Sequence, residues 1–109
     1  MYKRGDIVAV EFPFSDGSGI KLRPALIISN AEVESTGDVI IIMISSNSRG
    51  NDIAISLEGM LLTEPLPKPS FAKCHRVFSV EAKLLKGKLS ALRPESLSVI
   101  VNTVVRIIS

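Results

Sequence analysis

The longest uninterrupted apolar run in the chain, Val39-Ile-Ile-Ile-Met-Ile44, is six residues long, and this ceiling constrains the fold more than any other feature. Six residues make one strand, whereas a membrane-spanning helix needs about 20. The run is dominated by β-branched residues, which pack well on a pleated surface. A second run, Ala25-Leu-Ile-Ile-Ser29, has the same character. The two are separated by a polar stretch containing Gly37-Asp38, and together they read as central strands buried on both sides. Ile7-Val-Ala-Val-Glu-Phe12 reads as a first strand stopped by Pro13, and Asp52-Ile-Ala-Ile-Ser56 alternates polar and apolar residues. Phe71–Phe78 is a further strand, entered from a segment punctuated by Pro65, Pro67 and Pro69. Between the first two strands, Ser15-Asp-Gly-Ser-Gly19 is a cluster of turn formers, and residues 13–22 are expected to form a long, mobile surface loop.

The period changes at the end of the chain. Leu97, Ile100, Val101, Val104, Val105 and Ile108 fall at i, i+3, i+4, i+7, i+8 and i+11, the stripe of an amphipathic helix. Pro94 suits its first turn, so the spacing predicts a helix over 94–107 packed on the sheet. The fold class is therefore mainly β with one terminal helix. No internal repeat or dividing linker interrupts the 109 residues, and a single domain over 1–109 is expected. The amino terminus has no apolar run behind its charges, so no secretory signal is expected and the chain reads as a soluble, cytoplasmic protein without a membrane partner. One cysteine, Cys74, and one histidine, His75, provide neither an internal disulfide nor a structural zinc site. No metal or other cofactor is expected.

A net charge of +2 says little, but its distribution says more. No Lys or Arg lies between Arg23 and Arg49, whereas Lys68, Lys73, Arg76, Lys83, Lys86, Lys88 and Arg93 crowd the later third. That clustering is compatible with one basic face for a polyanion and equally with a solvated surface. Lys21-Leu-Arg23-Pro24 sets two cations at the end of the glycine-rich segment. Pro24 restricts Arg23 to extended backbone, so its guanidinium leaves from a defined point and can make paired bonds to a phosphate; a surface arginine capping a turn is the competing reading. Where the third apolar run leaves the core, Ser45-Ser46-Asn47-Ser48-Arg49 supplies hydroxyl and amide donors suited to phosphate oxygens, or merely a polar turn. On strict alternation, His75 shares a face with Lys73 and opposes Arg76. It reads as an ordinary structural or surface residue and Cys74 as a small buried apolar one.

Arg4-Gly-Asp-Ile-Val-Ala-Val-Glu-Phe-Pro-Phe-Ser15, Leu22-Arg-Pro-Ala-Leu-Ile-Ile-Ser-Asn30 and Ile42-Met-Ile-Ser-Ser46 resemble, in order and spacing, the amino-terminal half of the MazF/PemK toxin family. Ser70-Phe-Ala-Lys-Cys-His-Arg-Val-Phe-Ser79 resembles the family's later strand, and the terminal helix also corresponds. The resemblance implies a small, twisted, SH3-like antiparallel β-barrel closed by the helix, a homodimer, and a cognate antitoxin whose disordered segment folds onto the groove, with DNA binding alongside that antitoxin. It also implies a metal-independent endoribonuclease of the mRNA interferase type. In such enzymes the 2′-hydroxyl of single-stranded RNA attacks the adjacent phosphate and leaves a 2′,3′-cyclic phosphate.

Carried over by position, the resemblance implies catalytic roles for Arg23 and for Ser45, where the family usually has threonine. Lys21, Ser46, Asn47, Lys73 and Arg76 are expected to contact substrate. Many members have an acidic residue where this chain has Lys73, so Asp16 is the candidate for a replacement carboxylate or a further substrate contact. Two alternatives stay open: a non-catalytic barrel that binds a protein target such as DNA gyrase, and a binding module whose active site has decayed.

Overall fold

The computed structural model describes residues 2–13, 19–48, 50 and 53–109. Asp16, Arg49 and Asp52 lie outside the described residues. Six strands are present: β1 (Asp6–Pro13), β2 (Ile20–Ile27), β3 (Asp38–Ser45), β4 (Ala54–Ser56), β5 (Phe71–Glu81) and β6 (Leu85–Ala91). The helices are a single turn, α1 (Ala31–Glu34), and the terminal α2 (Pro94–Ile108); a 3₁₀ turn over Ala82–Leu84 precedes β6. All strand pairs are antiparallel, in the order β4-β5-β3-β2-β1-β6.

The apolar runs expected to be central are so: β3 lies between β5 and β2, and β2 between β3 and β1. Period-two alternation divides their side chains between two cores. Ile42 and Ile44 of β3, Leu26 of β2, Ile7 of β1 and Ala72 and Cys74 of β5 pack with Ile100 and Val104 of α2. Val39 and Ile41, with Ala25, Ile27, Val8 and Val10, form the second cluster. Burial on both sides explains why Ala25–Ile27 of β2 and Val39–Ile44 of β3 carry no polar residue.

Strand pairing does not close into the barrel expected from the sequence. The ladder ends at β4 on one side and β6 on the other; an isolated bridge, Leu61 with Leu92, joins the segments just beyond them. Backbone bonds from Leu62 N–H to the Ala91 carbonyl at 2.7 Å and from Arg93 N–H to the Met60 carbonyl at 3.0 Å fix that junction.

The expected loop over 13–22 is also too long. Pro13 ends β1 by pairing with Ile20, and Lys21 and Leu22 are already in β2, opposite Phe12 and Glu11. Cross-strand pairing extends the hairpin further than local turn propensity suggests. Gly5 makes the tight entry to β1 at φ +92°, donating to the Ile27 carbonyl at 2.8 Å and accepting from Leu92 N–H at 2.8 Å.

Helix α2 begins with Pro94 at its first turn and buries Ile100 and Val104 completely or nearly so. Its predicted apolar stripe is only partly used, because Val105 and Ile108 are 52% and 73% exposed. Among the described residues no helix is long and apolar enough to cross a membrane.

Candidate active-site groove

A groove of about 1300 Å³ opens where the second core meets solvent. Phe12 and Met43 reach from the edge of that core into the groove. Phe78 stands beside them, its ring 5.4 Å from that of Phe12 in an edge-to-face contact, an arrangement that fixes ring orientation.

Arg23 sits within β2, not ahead of it, opposite Val10 of β1. It is exposed and lines the groove. Pairing of β2 with β3 stops at Ala25, level with Met43. Pro24 has no backbone N–H to continue a ladder. Following the same antiparallel count two residues further brings Arg23 level with Ser45, and both side chains line the groove. Ser45 is half-buried at the end of β3, and its Oγ accepts from Asn47 N–H at 3.1 Å, closing a tight turn. That turn brings Ser46 and Asn47 into the same lining. Lys21 is exposed on β2 but is not among the groove residues.

The β5 side departs from the sequence reading. Ile42 pairs with Val77, but the next residue, Met43, pairs with Lys73. One step along β3 therefore spans four along β5, leaving Cys74, His75 and Arg76 as a bulge. Bulges break alternation and re-aim side chains. Arg76, expected on the face opposite Lys73 and His75, lines the groove with both of them. Lys73 is only 7% exposed, held in a strand that pairs with β3 on one side and β4 on the other. Cys74 points into the first core at 0% exposure, and burial pushes its thiol above the ordinary value of 9.0, opposed in smaller measure by the Arg106 charge.

Lys68, with Pro65, Leu66, Pro67 and Ser70, contributes a further side of the groove from the proline-punctuated segment. The charged groups lining it are thus Arg23, Lys68, Lys73, Arg76 and the ionisable His75, with no carboxylate among the described lining residues. The basic face expected from the later third of the chain is smaller than the count suggested. Lys83, Lys86 and Lys88 pair with Glu81, Glu11 and Asp6 at 3.4, 3.1 and 3.3 Å. Asp6 is 1% exposed, and its other oxygen accepts from Lys3 N–H at 3.0 Å, so that pair ties β6 to the root of β1. Among the described residues no group of three or more His, Cys, Asp or Glu gathers in a way that could hold a metal ion.

A concave surface carrying cations and donors, with apolar and aromatic residues between them, suits a phosphodiester chain with bases attached. Comparison with known proteins places the fold among solved structures. Solved structures with the same fold include an endoribonuclease in complex with its cognate antitoxin from a mycobacterial species, with TM-score 0.74 and 16% identity over 97% of this chain and 93% of that one. A MazE–MazF structure from Deinococcus radiodurans gives TM-score 0.73 and 17% identity over 99% and 95%. The toxin MazF-mt6 of Mycobacterium tuberculosis gives 0.71 and 18% over 93% of each chain. No curated protein sequence matches. Residues 3–108 match the family described as PemK-like, MazF-like toxin of type II toxin–antitoxin system, and with nearly the whole chain covered, this protein belongs to that family.

Proposed function

We propose that the protein is a ribonuclease toxin that cuts single-stranded RNA in this groove without a metal ion. One observation carries the proposal: Arg23 and Ser45, from adjacent strands, share a groove whose described charged residues are all basic groups. In the reaction the substrate supplies the nucleophile. As its 2′-oxygen bonds to phosphorus, charge grows on the non-bridging oxygens, and a guanidinium held at a strand edge stabilises it more than it stabilises the ground state. Arg23 fills that role, and the Ser45 hydroxyl binds a phosphate oxygen. Ser46, Asn47, Lys73 and Arg76 hold the flanking chain, with Lys21 and Asp16 as contacts for more distant nucleotides.

By likeness to relatives crystallised with antitoxins, a cognate antitoxin covers the groove. A homodimer is favoured by the exposed Val99, Val105 and Ile108 of α2. The single bridge between Leu61 and Leu92 supports reading the curled sheet as an incompletely paired SH3-like barrel. To test the activity, the purified protein is incubated with RNA and with DNA of the same sequence in the presence of a chelator. The proposal predicts cuts in RNA alone, because only RNA has the 2′-hydroxyl. Cutting of both, or of neither, would refute it.

A further inference from the structure

We propose that His75 accepts the 2′-hydroxyl proton during cleavage; this rests on the ribonuclease reading of the groove. Placement comes first. On a regular strand the side chains of His75 and Arg76 would point to opposite faces, but the bulge between the Ile42–Val77 and Met43–Lys73 pairs puts both into the groove with Arg23 and Ser45. A three-residue bulge in a strand that lines the groove re-aims its side chains. Here the side chain at its centre is an imidazole.

Chemistry is the second, independent ground. The described groove lining contains no Asp, Glu, Tyr or Cys. Its serines and asparagine do not ionise near neutrality. Histidine is the side-chain class able to take up and release a proton in that range. The charged groups described in the groove lining with His75 are Lys73 and Arg76 on its own strand, Arg23 on β2 and Lys68 on the proline-punctuated segment. All four are cations, the charge that a bound phosphate complements. His75 is exposed, so substrate in the groove can reach its imidazole.

The step balances without a co-reactant. A neutral ring nitrogen takes the 2′-hydroxyl proton as the 2′-oxygen–phosphorus bond forms and the phosphorus–5′-oxygen bond breaks. The departing 5′-oxygen takes a proton from water, and the imidazolium later returns its proton to solvent. Products are a 2′,3′-cyclic phosphate and a free 5′-hydroxyl.

The test is single-turnover cleavage of one RNA oligonucleotide by the wild type and by His75→Gln, from about pH 5 to pH 8. Affinity for the same oligonucleotide with a 2′-deoxy nucleotide at the cut site is measured in parallel. His75→Gln is expected to lose on the order of 10²–10⁴-fold in rate, to lose the rise of rate with pH, and to bind the uncleavable RNA like the wild type. Wild-type rates, a retained rise with pH, or a loss of affinity that accounts for the loss of rate would overturn the assignment. So would rescue of the variant by a substrate with sulfur at the 5′-bridging position, which would put His75 on the leaving-group side. A wild type that cuts RNA while the variant matches it refutes only this role, whereas a wild type that cuts nothing refutes the ribonuclease reading as well.

Discussion

Arg23 is exposed while Ala25 to Ile27, further along its strand, are buried, so removing its side chain should disturb chemistry more than folding. Arg23→Ala is expected to keep the wild-type melting temperature and lose roughly 10²–10³-fold in cleavage rate, the usual cost of one charge-stabilising donor. A calorimetric scan and a cleavage assay check the two halves. Ser45→Ala should lose roughly tenfold, as for one hydrogen bond to a charged oxygen. Its rate against Ser46→Ala identifies which hydroxyl carries the contact.

Cys74 gives a pH prediction of definite sign. Below pH 9.0, its ordinary value, the thiol is protonated in both folded and unfolded chains; above it the unfolded chain releases the proton while the buried thiol, whose titration is pushed up, retains it. Folding stability of the wild type should therefore decline above pH 9 relative to Cys74→Ala, by at most about 1.4 kcal/mol per pH unit. Denaturant titrations at several alkaline pH values measure this. At the residue scale the sequence pointed to Arg23 by its proline and to Ser45 by its place after an apolar run. The joint approach of Lys73, His75 and Arg76 was hidden, because simple alternation separates residues that a bulge brings together.

Elements were legible where periodicity was strong. The β2 and β3 runs stand out as uninterrupted apolar stretches, and α2 stands out by its helical stripe. Strand β6, Leu85–Ala91, did not stand out. Its Leu-Lys-Gly-Lys-Leu-Ser-Ala sequence has low strand propensity, and it is held at the sheet edge by pairing to β1 and by the Lys86–Glu11 and Lys88–Asp6 ion pairs. Turn α1 is too short to show a period, although Asn30 caps it by accepting from Glu32 N–H at 3.1 Å. Because Ile100 is fully buried between α2 and the sheet, Ile100→Ala should cost about 2–5 kcal/mol. Chemical denaturation measures that loss. Gly5→Ala, at φ +92° and 3.5 Å from Leu97 Cδ2, should cost about 1–3 kcal/mol through backbone strain.

At the scale of the whole molecule, α2 packs on one core of the sheet, and the groove is lined by residues from both cores, Ile44 of the first and Phe12 and Met43 at the edge of the second. Charge falls into two sets. Lysines of β6 neutralise buried or half-buried carboxylates, while Arg23 of β2, Lys73 and Arg76 of β5 and Lys68 of the proline-punctuated segment line the groove. From the sequence alone the two sets are indistinguishable, since pairing across strands is a property of register. The most direct test of the central claim, that this groove cuts RNA through the substrate's own hydroxyl, replaces a single ribonucleotide at a mapped cut site by its 2′-deoxy form. Cleavage at that bond should vanish while neighbouring sites are still cut, and the cut ends of unmodified RNA should carry 2′,3′-cyclic phosphate. Continued cleavage at the deoxy position, or ends bearing a 5′-phosphate, would contradict it.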